Sequence, residues 1–148
     1  MAARRLLTPG PRLAPPTMID ARRILLADDD QALRSGVADL LANLGLDVLE
    51  AENGLEAVQI ARARRIDAAL LDLHMPTCTG LDAIPLLHSA RAGLPCIVYS
   101  GDLTSELEHA ARLAGAVAVL HKPVDPALLR HEVLRALELG PESGATPH

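Results

Sequence analysis

Short apolar runs alternate with stretches of helical period through most of this chain, and the runs end in polar or charged residues. Residues 24–27 (ILLA) are the first run, and three aspartates, Asp28 to Asp30, follow it. Leu33, Val37, Leu40, Leu41 and Leu44 then recur at three- and four-residue spacing. That spacing predicts a helix with Asp30 as its N-cap and Gly45 as its stop. Residues 46–50 read as a second, shorter strand, and Asn53-Gly-Leu-Glu56 has the form of a capping box opening a helix that ends near Arg65. Residues 68–72 (AALLD) form a third apolar run. A loop with Met75-Pro76 leads to Gly80 and a third helix, where Pro85 should distort the first turns or delay the start. Residues 95–100 are the fourth strand, and residues 104–113 a helix closed by Gly115. Residues 117–120 are the fifth strand, and Asp125-Pro126 caps a last helix with proline in its first turn.

Five strand–helix pairs therefore fill about 118 residues, 22–139. Strands this apolar, with no polar alternation, require cover on both faces, which predicts a parallel sheet sandwiched by helices. Right-handed crossovers reduce the choice to a doubly wound α/β sheet, and in such sheets ligands collect at the carboxyl ends of the strands. Outside this block, residues 1–21 hold four of the eleven prolines and no periodicity, the pattern of a disordered leader. Met18, just before the first run, is a candidate start. Residues 140–148 read as a flexible tail.

Composition narrows the function. The chain has 148 residues, 49% of them hydrophobic, enough for a core without disulfides or a structural metal. Two cysteines, Cys78 and Cys96, exclude a disulfide framework and a Cys-rich zinc module; one is expected in a loop, the other as a buried apolar filler. No run reaches the roughly 20 apolar residues of a membrane span, so a cytoplasmic protein is expected. Residues 1–23 carry net charge +4 and the remainder −9. An acidic body lacks the basic face that nucleic-acid binding needs, so no nucleic-acid partner and no membrane partner are expected.

The polar groups at the strand ends carry the candidate chemistry. Asp28 and Asp29 follow the first strand, Asp72 ends the third, Ser100 ends the fourth, and Lys122-Pro123 follows the fifth. Three carboxylates at one edge repel each other, and a hard divalent cation, Mg²⁺ above all, relieves that repulsion. A nearby ammonium and a hydroxyl complete a set suited to a carboxylate that accepts a phosphoryl group. Lys122 is the single lysine among fourteen basic residues, the other thirteen being Arg, so a compact point charge is retained at that position.

In order and spacing, residues 24–29 (ILLADD), 70–76 (LLDLHMP) with Gly80, 97–101 (IVYSG) and Lys122-Pro123 resemble a response-regulator receiver domain of the single-domain chemotaxis type. The resemblance covers roughly residues 22–139. It implies a flavodoxin-like (βα)5 sandwich with five parallel strands in the order 2-1-3-4-5. It also implies that Asp72 is the phosphoacceptor, becoming 4-aspartylphosphate. Asp29 and Asp72 would ligate Mg²⁺ (Mn²⁺ as an alternative) directly, with the His74 backbone carbonyl as a third ligand and Asp28 acting through a water. Ser100 would hydrogen-bond the phosphoryl group, Lys122 would pair with it, and Pro123 would follow a cis bond.

The partners implied are a sensor histidine kinase or histidine phosphotransfer protein and a downstream protein target, with a monomer or a phosphorylation-dependent homodimer as the assembly. The chain's stop about one turn beyond the fifth helix is expected of a stand-alone receiver. Such a protein is not an enzyme beyond its own Mg²⁺-dependent phosphorylation and dephosphorylation. An aspartate-nucleophile phosphatase is one alternative, but His74 stands where it would place a second acid. A phosphorylation-independent adaptor is another, because Val119 occupies the position where many receivers carry a switching Tyr or Phe. Tyr99, beside Ser100, reads as a core strand residue pointing away from it.

Overall fold

The structure, a computed structural model, describes residues 21–139; the expected leader (apart from residue 21) and tail lie outside the described residues. Five parallel strands form one sheet in the order β2-β1-β3-β4-β5, as the family resemblance implies. The strands are β1 (Arg23–Ala27), β2 (Asp47–Ala51), β3 (Ala68–Asp72), β4 (Cys96–Ser100) and β5 (Ala116–His121). The helices are α1 (Gln31–Ala42), α2 (Gly54–Ala63), α3 (Gly80–Ala90), α4 (Ser105–Ala114) and α5 (Pro126–Leu139). Strand order reverses between β1 and β3, so the carboxyl ends of those two strands open the crevice that such a sheet offers a ligand.

Pleating divides the apolar residues into two cores. Ile24 and Leu26 of β1, Ala68 and Leu70 of β3, Ile97 and Tyr99 of β4, and Ala118 and Leu120 of β5 face one way. They pack on Val37 and Leu41 of α1 and on Leu129 and Val133 of α5. Leu25, Ala27, Ala69, Leu71, Cys96 and Val98 face the other way, against α2, α3 and Ala111 of α4. Every residue of β3 and β4 is buried, which explains why neither strand shows polar alternation. Burial of each such Leu or Ile side chain contributes about 1.5–3 kcal/mol.

The helix ends follow the predicted chemistry with two differences. Asp30 accepts from the Leu33 N–H and Thr104 from the Leu107 N–H, while Gly115 closes α4 at φ 115°. Asn53 accepts from the Glu56 N–H, but Glu56 turns its carboxylate to the Glu52 N–H and not to the cap's own. In α3 the expected delay at Pro85 does not occur. The helix starts at Gly80 under a reciprocal capping box between Thr79 and Asp82, and Pro85 lies inside it. The two extra cap bonds offset the backbone bond that proline omits. Cys78 lies in the loop between β3 and α3 as expected, and it is buried there against the α2 and α3 side of the core.

Gly80 shows why the loop after β3 must contain a glycine. A Cβ at this position would lie 2.7 Å from the Asp72 carbonyl oxygen and 3.1 Å from the Leu73 Cα, both backbone atoms that cannot step aside. Gly80→Ala is therefore expected to lower stability by about 1–3 kcal/mol through overpacking, measured by chemical denaturation. A variant as stable as the native protein would show that the loop has room to move.

Candidate functional site

Residue parity decides which strand-end groups meet. Asp28 continues the Ile24 and Leu26 side of β1, and Asp72 the Ala68 and Leu70 side of β3. Lys122 continues the Ala118 and Leu120 side just beyond β5. All three emerge above the α1–α5 core at the carboxyl edge. Carboxylate oxygens of Asp28, Asp29 and Asp72 lie within 4.8 Å of one another, with Asp28 and Asp72 buried and Asp29 exposed. The Lys122 ammonium stands 3.1 Å from Asp72 Oδ2 and 3.4 Å from Asp28 Oδ2. The expected cis bond precedes Pro123.

Each group is anchored through the backbone. The Asp28 N–H donates to the Ala51 carbonyl at 3.1 Å, and the Asp30 N–H donates to Asp28 Oδ1 at 2.9 Å. The His74 N–H donates to Asp72 Oδ1 at 3.1 Å, while the His74 side chain is exposed. At the end of β4, Ser100 is fully buried and its Oγ accepts from the Asp102 N–H at 3.1 Å. That bond uses a lone pair and leaves the hydroxyl proton free to donate. The Lys122 N–H donates to the Ser100 carbonyl at 3.0 Å, so hydroxyl and ammonium share one backbone frame.

Two members of the site were missed in the sequence. Tyr99 is a buried core residue as expected, with its ring in the α1–α5 core, but its hydroxyl reaches the site and donates to Asp28 Oδ2 at 2.5 Å. The Lys122 ammonium lies 4.7 Å from the centre of that ring. Burial first, and then the Asp28 carboxylate, push the phenol pKa up, so Tyr99 stays protonated and acts as a donor. Tyr99 pairs in register with Asp72, and its side chain has the same facing as Asp28 and Asp72, an arrangement that only the strand register reveals. The second is Arg34, buried on α1, which donates through Nη1 to the Asp28 carbonyl at 2.6 Å and through Nε to Glu50 at 2.9 Å. It ties the loop carrying Asp28 and Asp29 to the end of β2.

Burial raises the Asp72 pKa from 3.8; the His74 N–H pulls it down, Asp28 pushes it up, and Lys122 pulls it down. By contrast Cys96 has no chemical role in this arrangement, since burial lifts its thiol to about 12. Taken as formal charges, three carboxylates face one ammonium, a deficit of two positive charges among oxygen donors. Hard divalent cations bind oxygen-rich sets of this kind, so the residues present fit Mg²⁺.

Comparison with known proteins gives a consistent result. The family model for the response regulator receiver domain matches residues 24–134. A response regulator receiver protein of Anaeromyxobacter (Anae109_2439) is 37% identical over 103 residues, 70% of this chain and 43% of that one. The transcriptional regulatory protein PdtaR of Mycobacterium tuberculosis is 36% identical over 113 residues, 74% of this chain and 55% of that protein. The chain thus spans about half the length of these two curated relatives. Among solved structures, a CheY-like receiver domain protein from Methanospirillum hungatei superposes with a TM-score of 0.76 at 28% identity, covering 80% of this chain and 94% of that one. The receiver domain of the sensor histidine kinase PA1611 from Pseudomonas aeruginosa, solved with magnesium in its active-site cleft, gives 0.72 at 26% identity, covering 79% and 98%.

The raised Asp72 pKa has a consequence for stability. A carboxyl that binds its proton more tightly when folded supports the fold below 3.8 and loses that support as pH rises through its folded pKa. In the metal-free protein Asp72 is therefore destabilising at neutral pH. Asp72→Asn, nearly isosteric and uncharged, is expected to melt above the native protein in chelator at neutral pH. The advantage should shrink as pH falls toward 3.8, and parallel melting profiles across that range would contradict the assignment.

Proposed function

The chain belongs to the response-regulator receiver family of two-component signalling, and from that premise we propose that Asp72 accepts a phosphoryl group from a sensor histidine kinase or histidine phosphotransfer protein. The observation that carries this reading is the contact between the Asp72 carboxylate and the Lys122 ammonium at 3.1 Å, beside two further carboxylates. In the transfer an Asp72 oxygen bonds to phosphorus as the bond from phosphorus to the donor imidazole nitrogen breaks. The imidazole leaves with the electron pair and takes up a proton. The product, 4-aspartylphosphate, brings extra negative charge to an edge already rich in it. Lys122 offsets that charge, and Ser100 donates its free hydroxyl proton to a phosphoryl oxygen.

Asp29 and Asp72 would hold Mg²⁺ directly with the His74 carbonyl, and Asp28 would act through a water; Mn²⁺ suits the same donors. When bound, the ion neutralises charge on the phosphoryl oxygens. The magnesium described in the PA1611 receiver supports this reading. The chemistry is performed on the protein's own side chain, so the chain acts as a switch and not as an enzyme on an external substrate. A downstream protein reads the switch, in a monomer or a phosphorylation-dependent homodimer. Among the described residues no helix is long and apolar enough to cross a membrane, and the cytoplasm is the location that suits a kinase partner.

Incubation with Mg²⁺ and a small phosphodonor, followed by intact mass measurement, tests the acceptor. The native protein is expected to gain one phosphoryl mass and Asp72→Asn none; phosphorylation of the Asn variant would refute the assignment. Asp29→Ala is expected to weaken Mg²⁺ binding about tenfold or more without loss of the fold, as read by calorimetry. For the output, Val119 has no ring to swing, whereas the Ser100 hydroxyl is held by the Asp102 N–H at 3.1 Å. Recruiting that hydroxyl to a phosphoryl group disturbs the turn after β4. Amide exchange is accordingly expected to change more at residues 101–106 than along β5, and changes restricted to β5 would exclude this route.

A further inference from the structure

Asp28 is fully buried, and both of its carboxylate oxygens are already taken. Oδ1 accepts from the Asp30 N–H at 2.9 Å, and Oδ2 accepts from the Tyr99 hydroxyl at 2.5 Å with the Lys122 ammonium 3.4 Å away. Tyr99 lies two strands from Asp28, with β3 between them, and is itself fully buried. Its hydroxyl thus gives a buried carboxylate a strong, charge-assisted donor. We propose that Tyr99 is a positioning residue that stands in for cation charge at Asp28 and thereby holds down the affinity of the acidic cluster for Mg²⁺. This rests on the reading of Asp28, Asp29 and Asp72 as the Mg²⁺ site.

Two effects of the phenol pull in opposite directions. If it mainly aims the carboxylate, its removal weakens metal binding; if it mainly compensates charge, its removal strengthens binding. The Asp30 N–H fixes the direction of Asp28 independently, from a backbone atom at the start of α1. What the phenol adds, beyond the share of charge that Lys122 gives the same oxygen, is compensation. Electron density donated to the Tyr99 hydroxyl is withheld from the cation's hydration shell, and a bound cation in turn weakens the phenol's bond. The two are competing partners of one carboxylate, and their coupling is reciprocal.

The test uses the full chain. Tyr99→Phe is expected to bind Mg²⁺ roughly three- to tenfold more tightly in calorimetry, a part of what a hydrogen bond to a charged group contributes. Its melting temperature should fall more in chelator than in saturating Mg²⁺, whereas a purely structural loss lowers both alike. In an Asp28→Asn background the substitution should leave Mg²⁺ affinity unchanged.

The unmodified protein supplies a second measurement, because Tyr99 is its single aromatic residue. Its tyrosine emission should change on Mg²⁺ titration with the calorimetric midpoint. Native binding with unchanged or weaker affinity in Tyr99→Phe, or emission silent to Mg²⁺, overturns the role of Tyr99 alone. Absence of Mg²⁺ binding by the native protein overturns the metal reading itself, and this inference with it.

Discussion

The sharing of one ammonium by two buried carboxylates is the constraint on which the edge of this sheet is built. Asp28 and Asp72 end adjacent strands with their side chains on the same face, and Lys122 reaches both of them from beyond β5. Buried like charges at this distance cost several kcal/mol unless compensated. A single ammonium spread over two carboxylates leaves the compensation incomplete: burial first, and then the Asp28 carboxylate, hold the Asp72 pKa up against the pull of the His74 N–H and Lys122. A site arranged in this way is under tension without further positive charge. The same tension favours any ligand that supplies it.

Holding such groups in place requires a frame that does not relax away from them. The two apolar cores provide it, since the apolar side chains of β3 and β4 are buried under helices on both faces of the sheet. Polar ties then fix the loops. Arg34 bridges the Asp28 carbonyl and Glu50, the Leu73 N–H donates to the Tyr99 carbonyl, and the Gly80 N–H donates to the Leu73 carbonyl. Charge repulsion that would open a softer edge is here opposed by covalent continuity with buried strands. Electrostatic cost and packing strength are therefore two halves of one design.

Much of this was legible in the sequence. Apolar runs of four to six residues with no polar alternation can only be covered strands, and the groups after them mark the carboxyl edge. The caps at Asp30 and Asn53 and the stop at Gly115 follow from local chemistry, which is why they were readable. What escaped depends on contacts between strands. Tyr99 looks like an ordinary core residue until the register places it opposite Asp72 and its length carries the hydroxyl to Asp28. Arg34 looks like a solvated helix charge until the fold buries it under Glu50 and the Asp28 loop. The delay expected from Pro85 does not occur, because the local capping pattern Thr79-x-x-Asp82 starts the helix at Gly80.

The placement of the one aromatic ring bears on how a change at the site spreads. Ser100 and Tyr99 are neighbours on β4, so their side chains leave the strand on opposite faces. Tyr99 belongs to the core shared with α1 and α5, whereas Ser100 continues the face of Cys96 and Val98 toward α2, α3 and α4. Both touch the functional edge, one through Asp28 and the other through the turn at Asp102. Val119, packed on the second core, has no polar atom to join this network and only one χ angle to change. A redistribution of charge at Asp72 is felt first by Lys122, whose ammonium stands 3.1 Å from it and whose backbone N–H donates to the Ser100 carbonyl at the end of β4. Of the two residues there, Tyr99 is buried in the α1–α5 core, and Ser100 adjoins Gly101 and an exposed turn. The end of β4 thus joins a packed core on one face to an exposed turn leading into α4 on the other.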